Sequence, residues 1–301
     1  MREILIYEYG DNRMRFHRKG TEQVLRLEYF SVDGEERFPL LTFPALSELG
    51  MVKHCFTTRM GGVSEGIFST LNFSFSRGDK KEAVEENYRR VAQALQVDYD
   101  RIVCSDQTHT TNVRVITEKD AGKGLTVPRD YTDVDGMVTN VKGITLAAFF
   151  ADCVPLYFAD PKKKAIGLSH SGWRGTVARM GQATLKAMEE QYGTDPSDVI
   201  CAIGPSICQD CYEVSEDVAQ AFYQEFAGHE KDILTDKGNG KYQLDLWKAN
   251  EIVLLESGIR REHLSVTDLC TCCNPELLFS HRASHGKRGN LSGFLCLRED
   301  F

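Results

Sequence analysis

Two short apolar runs, at residues 154–158 and 165–169, constrain the fold more than any other part of this sequence. A polar stretch that contains a proline separates them, and this pattern predicts a β-hairpin with a loop of several residues. Folding the hairpin about Lys162 places Cys153 and His170 on opposite strands, within about one residue of being paired. Because the Cβ atoms of opposed residues lie about 5 Å apart, the thiol and the imidazole are predicted to converge at the open end of the hairpin.

Side chains alternate between the two faces of a strand, so Ile166, Leu168 and His170 are predicted to share one face. His170 would then end an apolar row where the chain enters the glycine-containing turn 172–175. A cysteine or a histidine alone is more often a packed core residue than a ligand. Their convergence at the end of a strand, followed by such a turn, favours a functional site.

The composition limits the partners of this chain of 301 residues. Its formal net charge of −8 argues against a nucleic-acid partner, which requires a basic surface. No apolar run approaches the roughly 18 residues of a membrane span. The N-terminus lacks the apolar core of a secretory signal because Glu8 interrupts it. The sequence therefore predicts a cytoplasmic protein without a membrane partner, and it leaves the oligomeric state open.

The pattern of the first residues differs from that of the rest. Apolar and polar side chains alternate over residues 1–42, which predicts a few antiparallel strands punctuated by Gly10 and Gly20. These residues are interpreted as an N-terminal β extension, and residues 43–301 as the main domain. Alternation at residues 71–75 predicts a further strand.

Helical periodicity is found in four stretches of the main domain. Asp79 is predicted to cap the first of them, and an apolar face supports this helix. That face consists of Val84, Tyr88, Val91 and Leu95. The other helices are predicted at residues 176–192, 216–226 and 247–256.

Strands outnumber helices, and few strand–helix–strand units recur. A loop and two strands are predicted for residues 270–297, and residues 144–150 are apolar enough for a strand buried on both faces. The predicted fold class is therefore α/β (α+β), with mixed β-sheets packed together and flanked by helices in a single large domain.

Ten cysteines in a chain without a secretory signal indicate thiols or metal ligands rather than a disulfide framework. Cys208 and Cys211 have the two-residue gap of a zinc site, and Cys270, Cys272 and Cys273 could complete it. Cys270 and Cys272 lie closer together than the usual gap, although Cys270 and Cys273 satisfy it. Ordinary free thiols are the favoured interpretation, and a structural zinc site is the alternative.

His109 also lies in a predicted turn between two strands. Together with Cys153 and His170 it would provide two imidazoles and one thiolate. Three protein ligands of this kind leave the fourth zinc position open, which is typical of a catalytic site. The sequence alone does not bring His109 to the other two residues.

The chain resembles a known bacterial family through several motifs that occur in order. They lie at residues 56–64, 107–109, 151–155, 170–175, 204–207 and 268–271. The family has been called the laccase-domain or polyphenol oxidase family and the peptidoglycan editing factors, and its members are now regarded as purine nucleoside phosphorylases. The resemblance spans residues 43–297, so it identifies residues 43–301 as a laccase-domain-like catalytic domain. Departures from the family pattern occur at residues 110, 281–283 and 287–290. They leave the metal site intact and affect the outer substrate pocket.

The resemblance implies a zinc ion held by His109, Cys153 and His170. It also implies phosphorolysis of inosine or adenosine to the base and ribose 1-phosphate, with adenosine deamination as a second activity, so that the partners are a nucleoside and phosphate. A cation would stabilise the charge that separates when the glycosidic bond breaks. Zinc is the expected metal, although a site of two histidines and one cysteine could also take copper.

Four further residues are predicted to serve the reaction. Arg59 and Arg174 adjoin glycines and could offer forked donors to phosphate, and Asn72 is a candidate polar residue of the substrate pocket. Asp152 is a candidate catalytic carboxylate beside Cys153, although alternation along the strand turns it to the other face.

Two other functions remain open from the sequence. The first is copper-dependent oxidation of phenols, although the eight histidines form no His-x-His pair. The second is a metal-free hydrolase that acts in peptidoglycan precursor editing, with Cys153 as the nucleophile and His170 as its base.

Overall fold

The structure, a computed structural model, describes residues 4–9, 12–20 and 23–301. The turn predicted at Gly10 lies outside the described residues. Gly20 has a φ of 85° and lies between the second and third strands.

The described residues form seventeen strands, whose bounds are as follows. They are β1 (Ile4–Tyr9), β2 (Asn12–His17), β3 (Arg26–Val32), β4 (Glu35–Thr42), β5 (Val52–Thr57), β6 (Ile102–Cys104), β7 (Val113–Val115), β8 (Gly136–Thr139), β9 (Thr145–Phe150), β10 (Val154–Asp160), β11 (Ala165–Ser171), β12 (Ile200–Ile203), β13 (Glu213–Ser215), β14 (Leu234–Gly238), β15 (Lys241–Leu244), β16 (Leu264–Val266) and β17 (Leu291–Leu297).

Two sheets of six strands dominate the fold. One has the order β3-β4-β5-β17-β9-β6 and the other β16-β12-β10-β11-β8-β7. Each mixes parallel and antiparallel pairs, since β6 and β9, β7 and β8, and β12 and β16 run parallel. Smaller sheets, β1-β2 and β13-β15-β14, complete the set among the described residues. The prediction of mixed sheets is confirmed.

Seven α-helices flank these sheets in the described part of the chain. They are α1 (Pro44–Ser47), α2 (Lys81–Leu95), α3 (Trp173–Val177), α4 (Met180–Tyr192), α5 (Glu216–Glu225), α6 (Glu230–Ile233) and α7 (Leu246–Glu256). None of them is long and apolar enough to cross a bilayer.

The two large sheets pack face to face around the main core. Phe56, Leu146 and Leu295 enter this core from the first sheet, and Ile166 and Leu168 enter it from the second. A second cluster fills the space between the other face of the second sheet and the helices that follow β11. A third lies between α2 and the first sheet. The fold is therefore a single domain of layered sheets with helices outside, as predicted, because each sheet buries both of its faces.

The central hairpin forms as the sequence predicts. Strands β10 and β11 pair antiparallel, with Pro155 opposite His170 and Val154 opposite Ser171. Cys153 therefore lies two residues from the partner of His170, one more than predicted. The predicted apolar row is confirmed, because Ile166 and Leu168 lie in the main core.

Several predicted boundaries are wrong. The helix expected at residues 176–192 is two helices, because Arg179 has a φ of 60° that interrupts α3 and α4. The cap of α2 is Lys80 rather than Asp79. Residues 71–75 form no strand, and residues 270–297 contain β17 alone instead of two strands. Residues 71–75 and most of residues 270–297 are instead loops, which side-chain hydrogen bonds connect to other loops. The periodicity of a sequence does not reveal such hydrogen bonds.

Strands β3 and β4 lie in the same sheet as β5 and β17. β3 and β4 thus extend a sheet of the main domain through the pairing of β4 with β5. The division of the chain into an N-terminal β extension, residues 1–42, and a main domain, residues 43–301, stays a prediction.

His54 on β5 joins this sheet to the segment that precedes α1. Its Nε2 accepts a hydrogen bond from the Phe43 backbone N–H at 2.9 Å, and the ring stacks on Phe43. Burial lowers the pKa of His54 to about 4. The folded protein thus requires the neutral imidazole.

We predict that His54 makes the protein sensitive to mild acid. As the pH falls below 6.5 the unfolded chain gains a proton on this ring, and the folded chain does so only near pH 4. Stability from the neutral ring is thus complete above the unfolded pKa and is lost on acidification, by about 2 kcal/mol between pH 7 and pH 5. His54→Gln keeps an acceptor for Phe43 without a titrating ring. Denaturant unfolding of both proteins at the two pH values measures the difference, and equal pH dependence would contradict the prediction.

Candidate metal centre

Two loops and one strand at one end of the central hairpin bring His109, Cys153 and His170 together. His109 lies in the loop between β6 and β7, Cys153 lies between β9 and β10, and His170 lies near the end of β11. One ligand atom from each lies within 4.8 Å of the others. The Cys153 Sγ is 3.9 Å from the His109 Nε2. The two rings meet edge to face, with centroids 4.9 Å apart.

Asp135, at the start of β8, holds both histidines in place. Its Oδ1 lies 2.8 Å from the His170 Nδ1, which leaves the Nε2 of that ring free to face the cluster. The same carboxylate accepts the backbone N–H groups of Thr108, His109 and Thr110 at 2.9–3.1 Å. Histidine ligands of metals commonly bond to a carboxylate in this way.

Sequence reasoning missed Asp135. A carboxylate is expected behind a histidine ligand, and Asp135 directly precedes β8. No spacing rule, however, connects it to His170, which lies 35 residues further along the chain. The pairing depends on β8 and β11 being neighbours in the sheet.

Opposing effects set the charges of Cys153 and His170. Burial alone would raise the pKa of the Cys153 thiol, but the imidazoles of His170 and His109 outweigh it and lower that pKa to about 6. Burial would lower the pKa of His170, but the Cys153 thiolate and Asp135 raise it to about 9. Without a metal the two residues therefore form a thiolate–imidazolium pair at neutral pH.

Asp152 turns the chain so that Cys153 reaches the cluster. It has a φ of 84°, which non-glycine residues seldom adopt. Its carboxylate accepts hydrogen bonds from the Thr271 hydroxyl at 2.6 Å and the Arg282 backbone N–H at 2.7 Å, and its carbonyl accepts the Ile207 N–H. The carboxylate thus contacts the loop after β16 and supports the position of Cys153.

Gly172 leaves space for the cluster. A Cβ at this position would lie 3.0 Å from the His109 ring and 3.1 Å from the Cys153 sulfur. Both distances are tighter than ordinary side-chain contacts, so any larger residue would push the ligand atoms aside.

A cavity of about 320 Å³ opens beside the three residues. Its wall includes four phenylalanines and three arginines. They are Phe73, Phe75, Phe149, Phe150, Arg77, Arg129 and Arg288. Arg129 is paired with Asp106 at 2.7 Å. Among the described residues no carboxylate lies within ion-pair distance of Arg77 or Arg288, so the cavity has uncompensated positive charge.

The three residues predicted to bind substrate, Arg59, Asn72 and Arg174, lie outside the wall of this cavity. Arg59 donates to the carbonyls of Ser69 and Pro275, both at 2.8 Å, and lies over the Phe279 ring. Arg174 is exposed and stacks on Trp173.

Asn72 is buried, and it connects two loops that border the cavity. Its side-chain oxygen accepts the backbone N–H groups of Ser74 and Asn290, at 3.1 and 2.9 Å. The substrate contacts expected from Arg59, Asn72 and Arg174 stay predictions.

The three residues fit a zinc ion. Zinc–nitrogen and zinc–sulfur bonds of about 2.0 and 2.3 Å in a tetrahedron put the ligand atoms about 3.5 Å apart, close to the 3.9 Å between Cys153 and His109. The donor set of two imidazoles and a thiolate leaves one position, and the cavity lies beside it. The His170 imidazole is also hydrogen-bonded to a carboxylate, that of Asp135, as histidine ligands of metals commonly are.

Fold and site together define the class of protein. Residues 53–298 match the family described as "Multi-copper polyphenol oxidoreductase laccase". The chain belongs to this family. The resemblance noted from the sequence motifs is thereby confirmed.

The named relatives include a purine nucleoside phosphorylase and an adenosine deaminase. The chain is 39% identical over 249 residues to "Purine nucleoside phosphorylase YlmD" of Bacillus subtilis (strain 168), covering 81% of this chain and 88% of the relative. It is 33% identical over 229 residues to "Adenosine deaminase RL5" of an unknown prokaryotic organism, covering 75% and 87%. The crystal structure of the Bacillus licheniformis hypothetical protein YfiH superposes with a TM-score of 0.82 at 32% identity, over 89% of this chain and 99% of that one.

We predict that Asp135→Asn weakens zinc binding about 10–100-fold, the usual cost of losing a carboxylate behind a histidine ligand. The amide cannot hold the His170 ring and the loop of His109 with the same charge. Competition with a chromogenic chelator measures the affinity.

Asp133→Asn is the matched control for this measurement. Asp133 accepts hydrogen bonds from Thr108, Thr110 and Asn112 in the same loop, but it does not bond to His170. Equal loss of affinity in the two variants would show that loop stability, rather than orientation of the imidazole, is responsible.

Proposed function

We propose that this protein is a zinc-dependent purine nucleoside phosphorylase that converts inosine or adenosine and phosphate to the base and ribose 1-phosphate. The observation that carries the proposal is the cavity, which places a candidate metal centre, uncompensated arginines and an exposed aromatic ring in one space. The name of the Bacillus subtilis relative supports the same substrate class.

Arg288 and Arg77 are the proposed phosphate-binding residues. Arg288 is buried, and its Nε has no hydrogen-bond partner among the described residues. Burial, together with the nearby positive charge of Arg77, lowers the pKa of Arg288 to about 10. A buried charged donor without a partner is costly, and a phosphate between the two guanidinium groups would satisfy it.

Aromatic side chains on the same cavity suit a purine. Phe75 is 39% exposed and stacks on the buried Tyr88 with an interplanar angle of 6°. Its outer face is therefore available for stacking on a flat base. Phe149 and Phe150 line the cavity beside the metal centre and would exclude water from the glycosidic bond.

His109, Cys153 and His170 would hold the zinc ion. When bound, zinc supplies a Lewis acid that stabilises developing negative charge and lowers the pKa of a bound water. Asp135 keeps the His170 imidazole oriented, and Asp152 keeps Cys153 in position. The proposed catalytic contribution of Asp152 is thus positioning.

Adenosine deamination is proposed as a second activity of the same site. It is supported by the relative named an adenosine deaminase and by the ligand position that the three residues leave open. The reaction would convert adenosine and water to inosine and ammonia in the absence of phosphate.

Two observations count against a multicopper oxidase as the main activity. The described residues contain two groups that could hold a metal ion, and one of these groups consists of cysteines alone. Multicopper chemistry requires several histidine-rich copper sites close together, and the sequence has no His-x-His pair.

The proposal predicts phosphorolysis by the zinc-loaded protein. Inosine or adenosine with phosphate should yield free base and ribose 1-phosphate, and Arg288→Gln should lower kcat/KM for phosphate by about 10–100-fold, the value of a hydrogen bond to a charged group. Steady-state assays that vary phosphate and nucleoside separately measure the effect.

Arg174→Gln is the control, because Arg174 is equally charged but exposed and outside the cavity wall. A loss with Arg174→Gln that matched the loss with Arg288→Gln would place phosphate elsewhere. Absence of free base at zinc saturation would overturn the phosphorylase assignment.

A metal-free cysteine hydrolase is the second candidate, and the thiolate–imidazolium pair of Cys153 and His170 favours it. We predict that the metal-free protein is alkylated at Cys153 by iodoacetamide with a midpoint near pH 6, well below the value of an ordinary thiol at about 8.5. Zinc should protect the thiol if it is a ligand. Mass spectrometry of the labelled protein locates the site. A protein that binds no zinc and loses activity on alkylation would support the hydrolase instead.

A further inference from the structure

Four cysteines form a second cluster on two other loops. Cys208 and Cys211 lie between β12 and β13, and Cys270 and Cys273 lie between β16 and β17. Their four sulfur atoms are all within 4.8 Å of one another. The loops are held side by side by a bridge between Ser206 and Cys270.

The spacing of these sulfur atoms fits one tetrahedral ion. Cys273 lies 4.0 Å from Cys208 and 3.5 Å from Cys211, sulfur to sulfur. Four bonds of about 2.3 Å in a tetrahedron put the sulfurs about 3.8 Å apart. Each pair of cysteines also has the two-residue gap that zinc sites use, and all four are free thiols.

A backbone donor and a positive charge lie close to the sulfur atoms. The backbone N–H of Cys208 donates to the Cys270 sulfur at 3.2 Å, and the Lys19 ammonium lies within electrostatic reach of Cys208 and Cys273. Neutral thiols are weak hydrogen-bond donors and would gain little from such a cluster. Four thiolates around a divalent cation carry a net negative charge, which the lysine and the backbone dipole partly offset.

We propose that Cys208, Cys211, Cys270 and Cys273 bind one zinc ion as a closed structural site, separate from the centre at Cys153. Four protein ligands fill every tetrahedral position, so the site has no place for substrate. Thiolate ligands select zinc over magnesium or calcium. Cys272 stands outside the cluster among the described residues, although it is adjacent in sequence.

The ion would fix the loop that supports the metal centre. Thr271 lies between two of the ligands, and its hydroxyl donates to the Asp152 carboxylate, next to Cys153. Arg282 donates from its side chain to the Cys211 carbonyl at 3.1 Å and from its backbone to Asp152. Binding of the second zinc therefore stabilises both hydrogen bonds that hold the unusual backbone of Asp152.

Metal analysis of the full chain, purified without added metal and then saturated with zinc, tests the proposal. The wild-type protein is expected to bind about two zinc ions, and Cys273→Ser about one. Cys272→Ser is the matched control and should bind as much as the wild type. Because the readout is the difference between wild type and Cys273→Ser, it holds whether or not the Cys153 centre binds zinc or the phosphorylase assignment is correct.

Because the Cys273→Ser protein could unfold, a second variant is used to measure metal binding at the four cysteines directly. Cys153→Ser removes the other centre and leaves the four cysteines. Loaded with cobalt(II), it should bind one ion and show the intense sulfur-to-cobalt absorption and tetrahedral visible bands of a tetrathiolate site. Lack of cobalt binding, or zinc content in folded Cys273→Ser equal to wild type, would overturn the proposal. So would a free-thiol count four lower than the ten cysteines of the unreduced chain, since that would show two disulfides.

Discussion

The site depends on the hydrogen bonds that the carboxylate of Asp135 makes. It bonds to the imidazole of His170 and also to the backbone of the loop that carries His109. Asp135 is fully buried, and burial would raise its pKa, but His170 and the backbone N–H groups keep the pKa below its usual value. One ionised oxygen pair thus orients two histidines that lie far apart in the sequence.

The layered sheets explain why this carboxylate can act on both histidines. β8 is bonded to β11 on one side and to β7 on the other, so Asp135 lies between the strand of His170 and the loop of His109. The two sheets bury a continuous apolar core, and the loops at one end of the hairpin emerge beside the cavity. A rigid scaffold with loops at the strand ends is the common way to build a metal centre.

Loops with little regular structure make up much of the site. The segments around Asn72, Asp152 and Thr271 are held by side-chain hydrogen bonds to backbone groups of other loops rather than by strand pairing. Each of these residues forms hydrogen bonds to a neighbouring loop, so a substitution at one of them would alter the position of more than one loop. The cysteine cluster around Cys270 belongs to the same network, through Thr271 and Arg282.

The sequence by itself determined the central hairpin, the layered class of fold and the family, because periodicity, turn residues and motif order are local properties. It also singled out His109, Cys153 and His170. Only the tertiary structure brought Asp135 behind the histidines, placed Arg288 rather than Arg174 on the cavity wall, and gathered four cysteines from two loops. Those contacts join residues that are distant along the chain, and the pairing of strands and loops, which no single stretch encodes, decides which of them meet.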